Sequence, residues 1–323
     1  MKPFLTACLF AIAAMPLYAH AQSSWPDAKP ITMIVPFPPG GVADTVALPV
    51  AEALARELKQ QVIVENRASA GGATGIGAAS RAAADGHTIL LALSSISILP
   101  EADKLLERKP VFTLNQFKPI ARFTADPTVL VVRADAPWKT LAEFVADLKT
   151  QPGRFNYGSS GNYGTMHVPM EMLKASAGVR MTHIPYTGAG PAVLALLSGQ
   201  VDAVATGPST VAQQIQSGKL RALAHWGDKP LVALPDVPSL KQAGYATTFA
   251  QWSALFVPAA TPDDILGKLR AAAKTVSADA LVVQTIQRAG SPIEYLDAPE
   301  FQSYWNADAA LMTDAVKKIG KVE

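Results

Sequence analysis

Three short stretches carry the residues best suited to hold a small molecule: PFPPGGVAD at 36–44, SSGNYGTMH at 159–167 and YTGAGP at 186–191. Each sets glycines between an apolar, strand-like run and a segment of helical spacing. Glycine lets backbone N–H groups turn toward a ligand, and the first amides of the following helix lack internal partners. Such loops bind negatively charged oxygen. Nucleotide phosphate is a poor fit, because PFPPGGVAD has neither the Lys nor the spacing of a phosphate or dinucleotide loop. The stretch GGATGIGAA at 71–79 contains G-x-G without the remaining spacing and reads as close helix packing.

Catalytic groups are sparse. His87, His167, His183 and His225 stand at no metal-ligand spacing, so no metal or cofactor is expected. His167 is the one that follows a glycine turn at a helix start and is a candidate ligand contact. Gly158, Ser159, Ser160, Gly161 and Asn162 approach a nucleophile elbow, but G-x-S-x-G needs glycine where Asn162 stands. A secreted serine hydrolase using Ser160 with His183 is the alternative this near miss leaves open.

Elements must exist to aim these loops. Strand-like runs (ITMIVPF, QQVIVEN, HTILLAL, FNYGSS, RMTHIPY, QVDAVAT, LRALAHW, SALFVPA) alternate with helical patterns, which argues α/β with mostly parallel sheets. In the first helix Ala47, Ala51, Leu54 and Leu58 share a face, opposite Glu52, Arg56 and Glu57. Asp297 before Pro299 and Glu300 signals the start of the last helix. Phe117–Arg133 and Lys219–Asp228 are extended, apolar and mid-chain, as strands crossing between two lobes would be. Lobe 1 is then expected from 22–123 plus 225–323, and lobe 2 from 124–224.

The opening MKPFLTACLFAIAAMPLYAHAQ has one Lys, a short apolar core and an A-x-A site, and reads as a signal peptide, 1–21, cut after Ala21. The expected location is the periplasm. Cys8, the only cysteine, lies in that leader, so disulfides are not expected. Lys+Arg 28 against Asp+Glu 26 gives a formal net charge of +2, which points to no nucleic-acid or membrane-surface partner.

PFPPGGVAD, VENRASAGGATG, ADGHTILLALSS, YGSSGNYGTMH, HIPYTGAGPAVLALLSGQVD, KLRALAHWG with LPDVPSLKQAG, and VPAATP follow one another in an order that resembles the Bug-type solute receptors of tripartite tricarboxylate transporters. The likeness covers nearly the whole chain from Trp25. It implies a type II, Venus-flytrap periplasmic-binding fold with two crossing strands, closing on a small organic acid without catalysis. In that family the P-F-x-x-G-G-x-x-D and S-x-G-x-G-T-x-x-H loops clamp a carboxylate as two jaws. Here the jaws are Pro36, Phe37, Gly40, Gly41 and Asp44, and Ser159, Gly161, Gly164, Thr165 and His167. Ser94, Ser95, Ser160, Tyr186, Gly188, Ala189 and Thr206 complete the expected ligand-binding set. The partners implied are a di- or tricarboxylate, aromatic acid or amino acid, and transporter subunits or a sensor; the receptor itself is expected to be a monomer.

A carboxylate at Asp44 would repel an anion, so capping amides near its helix start or orienting the glycine loop suits it better than touching the ligand. Phe37 and Tyr186 have rings able to pack on a carbon skeleton. The chain departs from the family at Leu48, where Arg is usual, at Pro49, and at Thr206–Gly207, where an acidic or amide pair is common. Pro49 cannot donate to the carbonyl of residue 45 and is expected to kink the helix.

Overall fold

The computed structural model describes residues 25–291 and 293–322, so the expected leader lies outside the described residues. The chain runs β1 (Ile31–Val35), α1 (Val42–Leu58), β2 (Val62–Asn66), α2 (Ala73–Ser80), β3 (Thr88–Leu93), α3 (Ser95–Leu105) and β4 (Phe117–Pro127). It continues through β5 (Val129–Arg133), α4 (Leu141–Thr150), β6 (Asn156–Ser159), α5 (His167–Ala177), β7 (Thr182–Pro185), α6 (Ala189–Leu197), β8 (Ala203–Thr206), α7 (Ala212–Gln216) and β9 (Leu220–His225). It ends with β10 (Ala250–Pro258), α8 (Asp263–Ser277), α9 (Ala280–Arg288), β11 (Leu296–Asp297) and α10 (Ala298–Ile319).

These strands form two sheets, ordered β11-β4-β10-β3-β1-β2 and β7-β6-β8-β5-β9, one in each lobe. Period-2 alternation lets each sheet bury both faces. Ile31, Met33 and Val35 face one core and Ile34 the other, while Ile89, Leu91 and Leu93 oppose Leu90 and Ala92. In the second sheet Leu130 and Val132 oppose Val129 and Val131 in the same way.

The sheets are more mixed than the alternation of elements suggests. β1 pairs parallel with β2 and β3, but β10 runs antiparallel to both β3 and β4. Likewise β6 is parallel to β7 and β8, and β5 antiparallel to β8 and β9. The reason is topological: β4 carries the chain out of the first sheet and β10 brings it back, so the two must oppose.

Phe117–Arg133 does cross, as β4 and β5 on either side of Thr128. Lys219–Asp228 does not cross as a strand. β9 ends at His225 within the second sheet, and residues 226–249 return the chain without a named strand. Gly227 and Pro230 break the run at that point. The two crossings touch, since Trp226 donates its N–H to the Thr128 carbonyl at 2.9 Å and Gly227 lies against the Pro127 ring. α10 straddles both lobes: Phe301 and Trp305 pack with Trp252 and Phe256, whereas Met312, Ala315 and Val316 join Leu130, Tyr157 and Trp226.

α1 runs as one continuous helix through Pro49. Its buried face, including Val46, Ala47, Val50, Ala51 and Leu54, is held against the sheet on both sides of the proline. Tertiary packing outweighs one lost backbone bond.

Candidate functional site

The first loop is built around Asp44. Gly40 takes a positive φ of 78°, which turns its N–H inward to Asp44 Oδ2 at 2.8 Å. The other oxygen accepts from Asn66 Nδ2 at 2.9 Å, and the same nitrogen donates to the Phe37 carbonyl at 3.0 Å. Asp44, third residue of α1 and nearly buried, thus ties the loop to the end of β2. Gly72 and Gly75 let the next loop pass beneath: a Cβ on Gly75 would stand 2.7 Å from the backbone of Pro36 and Arg67.

The second loop is held from behind by a buried polar cluster. Ser159 Oγ meets His183 Nε2 at 2.5 Å and accepts from the Gly161 N–H at 3.1 Å. The Tyr163 N–H donates to His167 Nδ1 at 3.1 Å. The His167 and His183 rings lie 4.2 Å apart, and His183 stacks on Tyr157. Below them Tyr157 Oη and Lys174 Nζ both donate to Glu171 Oε1.

Burial lowers the His167 pKa to about 3, helped by the charges of His183 and Lys174. Burial also lowers that of His183 to about 4, against the pull of the Glu171 carboxylate. Both rings are therefore neutral in the folded protein near pH 7. The unfolded chain takes up these protons near pH 6.5, the folded one only far below, so acid favours unfolding. Stability is expected to fall as pH drops from about 6.5 toward 4, with a shallower fall in His183→Gln. Denaturant melts across that range check this, and identical slopes for the two proteins would refute it.

The loops meet across the cleft in a closed arrangement. Gly71 donates its N–H to the Ser160 carbonyl at 3.1 Å, and Gln251 Nε2 donates to Thr165 Oγ1 at 2.9 Å. Gly188 sits against Pro38, and Gly207 against Val42 and Gln251. Between them lies a narrow cavity of about 10 Å³, room for roughly one water in this closed arrangement, lined by Phe37, Pro38, Gly41, Val42, Ala43, Leu93 and Gln251 on one side and Ser160, Thr165, Met166 and Ala189 on the other. No lining residue carries a charge. Gln251 is buried and its Oε1 has no hydrogen-bond partner.

Of the expected site residues, Phe37, Gly41, Ser160, Thr165 and Ala189 line this cavity. Pro36, Gly40, Asp44, Gly161, Gly164 and Gly188 shape the loops around it without lining it. Ser94 and Ser95 are buried at the start of α3, one residue beyond the lining Leu93, with hydroxyls that have no partner. Four side chains lie elsewhere than expected. His167 and Ser159 belong to the buried cluster, where apolar and ring neighbours have excluded solvent. Tyr186 packs over Gly158 on the second sheet, and the Thr206 hydroxyl bonds to Thr210 Oγ1 at 2.9 Å.

The serine pairing also differs. His183 bonds Ser159, which is fully buried, whereas Ser160 has no histidine partner among the described residues. Gln251 and Asn66 are contributors that the sequence reading passed over. A Gln inside the largely apolar strand AQWSALFVP is the signal that marks Gln251, and Asn66 ends the strand within VENRASAGGATG.

A family model described as Tripartite tricarboxylate transporter family receptor matches residues 46–321. The chain belongs to this family. Among curated relatives of the receptor, a UPF0065 protein of Bordetella pertussis is 34% identical over 295 residues, covering 90% of either chain. Among solved structures, the periplasmic binding protein BugD superposes with a TM-score of 0.85 at 29% identity, covering 90% of the receptor and 98% of BugD. MatC from Rhodopseudomonas palustris with bound malate gives 0.83 at 27% identity, covering 90% and 99%. The receptor's two-lobed architecture is therefore that of a solute-binding protein.

Proposed function

We propose that this receptor is exported to the periplasm, captures a small carboxylated metabolite between its lobes and presents it to a tripartite tricarboxylate-type transporter or a sensor. The observation that carries the reading is the convergence of two glycine-bearing loops on one uncharged cavity, with Phe37 and Gly41 facing Ser160, Thr165 and Ala189. MatC, a relative of the same fold, holds malate. Neutral donors are enough for such a ligand. Hydrogen bonds to a charged group contribute about 1.5 to 3 kcal/mol each, and micromolar binding needs roughly 8 kcal/mol.

In this reading Phe37, Gly41, Ser160, Thr165 and Ala189 touch the ligand, and Asp44, Gly40, Gly164 and His167 hold the loops in place. The lobes rotate about Thr128 and the returning segment 226–249, opening the small cavity for entry. Among dicarboxylates, tricarboxylates, aromatic acids and amino acids the backbone cradle reads the carboxylate and leaves the remainder to the walls. The protein acts as a monomer and without catalysis.

Thermal melting of the mature protein against a panel of organic acids tests this. A ligand at 100 times its Kd adds about 2.7 kcal/mol, which raises the melting temperature by several degrees. Ser160→Ala is expected to keep most of that shift, whereas a serine hydrolase would lose turnover with it. A panel in which only a neutral sugar or a metal stabilises the protein refutes the proposal.

A further inference from the structure

A second, larger cavity, of about 360 Å³ and open to solvent, lies where the two crossings meet. Its walls come from the end of β4, from Pro208 after β8, from residues 228–233 of the returning segment, and from Gly290 and Glu294. Three acids line it. Glu294 has Arg122 Nη2 at 3.5 Å and Asp228 has Lys241 Nζ at 3.4 Å. Asp126 has no such cation among the described residues: it is 2% exposed, and there its Oδ2 makes no hydrogen bond of full geometry. The buried Ser291 hydroxyl makes no bond of full geometry among the described residues, but it lies near enough to Asp126 to favour the charged carboxylate weakly.

We propose that this hinge cavity is a binding site for a small protonated alkylamine, whose ammonium group pairs with Asp126 and whose carbon chain lies on Pro127, Pro208, Pro230 and Leu231. A buried carboxylate with one oxygen unpaired costs free energy that a cation in the same cavity recovers. A metal ion is the poorer match. Calcium or magnesium needs about six oxygen ligands, and among the described residues no group of three acidic, His or Cys side chains gathers to hold a metal. An ammonium needs only a few acceptors for its three N–H bonds, and its stem suits prolyl and leucyl walls.

The groups facing Asp126 are Ser291, Thr124, whose hydroxyl is shared with Ser253 at 2.8 Å, Glu294 with its Arg122, and Gln251 on the paired strand. Burial raises the Asp126 pKa to about 7, the Glu294 charge adds to this, and the Ser291 and Thr124 hydroxyls oppose it. An amine that needs the ionised form therefore binds better as pH rises from 6 to 8. Asp126 and Gln251 stand directly opposite in the β4–β10 ladder and so point to the same face of the sheet. A ligand on Asp126 sits one residue pair from the interlobe bond to Thr165.

Calorimetry of the mature protein at pH 8 with propylammonium chloride, referenced to sodium chloride and tetramethylammonium chloride at equal ionic strength, tests the site. Propylammonium is expected to bind and tetramethylammonium, which has no N–H, to bind at least about tenfold more weakly. Asp126→Asn, which keeps the shape and removes the charge, is expected to weaken propylammonium about tenfold or more. Lys229 is exposed at the rim and is the chain's own ammonium within the lining, so Lys229→Ala is measured alongside. Equal binding in Asp126→Asn, no binding in both wild type and Lys229→Ala, or wild-type binding that does not strengthen between pH 6 and 8 would overturn the proposal. The last readout stands even if Asp126→Asn fails to fold.

Discussion

Gly188→Ala is expected to weaken carboxylate binding about 10- to 100-fold while leaving the melting temperature of the ligand-free protein unchanged. Gly188 is extended, with φ 178°, so its backbone accepts any residue. An added Cβ would stand 2.3 Å from Pro38 Cγ and 2.7 Å from its Cδ, and Pro38 belongs to the facing lobe. The clash exists only when the lobes are closed. Overpacking of this kind costs about 1 to 3 kcal/mol, and here the cost falls on the binding-competent state alone. Gly190→Ala is the control two residues on, where a Cβ meets nothing within 4 Å and φ is not positive. Titration of both variants with the acid that stabilises the wild type decides the matter. Wild-type affinity in Gly188→Ala would mean that these loops do not meet in the bound state.

Asp44→Ala should be costlier to the fold than to anything else. It removes the acceptor for the Gly40 N–H and one of two acceptors of Asn66, leaving a loop donor unpaired. Bonds to a carboxylate contribute about 1.5 to 3 kcal/mol each, so a loss of about 3 kcal/mol is expected, lowering the melting temperature by roughly 6 to 12 °C. Asp44→Asn keeps one acceptor and is expected to fall between. The measurement also separates two roles. An Asp44→Ala protein that melts like wild type yet binds no acid would place this carboxylate on the ligand instead of under the loop.

How much of this was legible in the sequence depends on how local each cause is. The glycines of PFPPGGVAD and SSGNYGTMH, set between strand and helix, are local signals, and both loops do flank one cavity. The hold of Asp44 on the glycine loop was readable for the same reason, since its partner Gly40 is four residues away, although it caps no helix amide among the described residues. His167 was not. It follows a glycine turn as a ligand-facing residue would, but its fate was decided by His183 and Tyr157 on neighbouring strands. Gln251 stands out as a polar residue in its strand, but its role does not, because its partner Thr165 is 86 residues distant and on the other lobe. Lys219–Asp228 reads as one extended run on its apolar content, yet the strand stops at His225, just ahead of Gly227.

The position of β10 between β3 and β4 bears on how the chain acquires this structure. The strands of the second sheet all lie between residues 129 and 225 and can pair with one another once that stretch is available. The first sheet cannot: β3 and β4 keep unpaired edges until residues 250–258 arrive, more than a hundred residues after β4 ends. Contacts this distant in sequence form slowly, and exposed strand edges invite pairing with other chains. A nascent copy of this protein therefore passes through an interval in which the second sheet is paired but its core still lacks α10 and the first sheet is divided, and that interval is where self-association during synthesis has its opportunity.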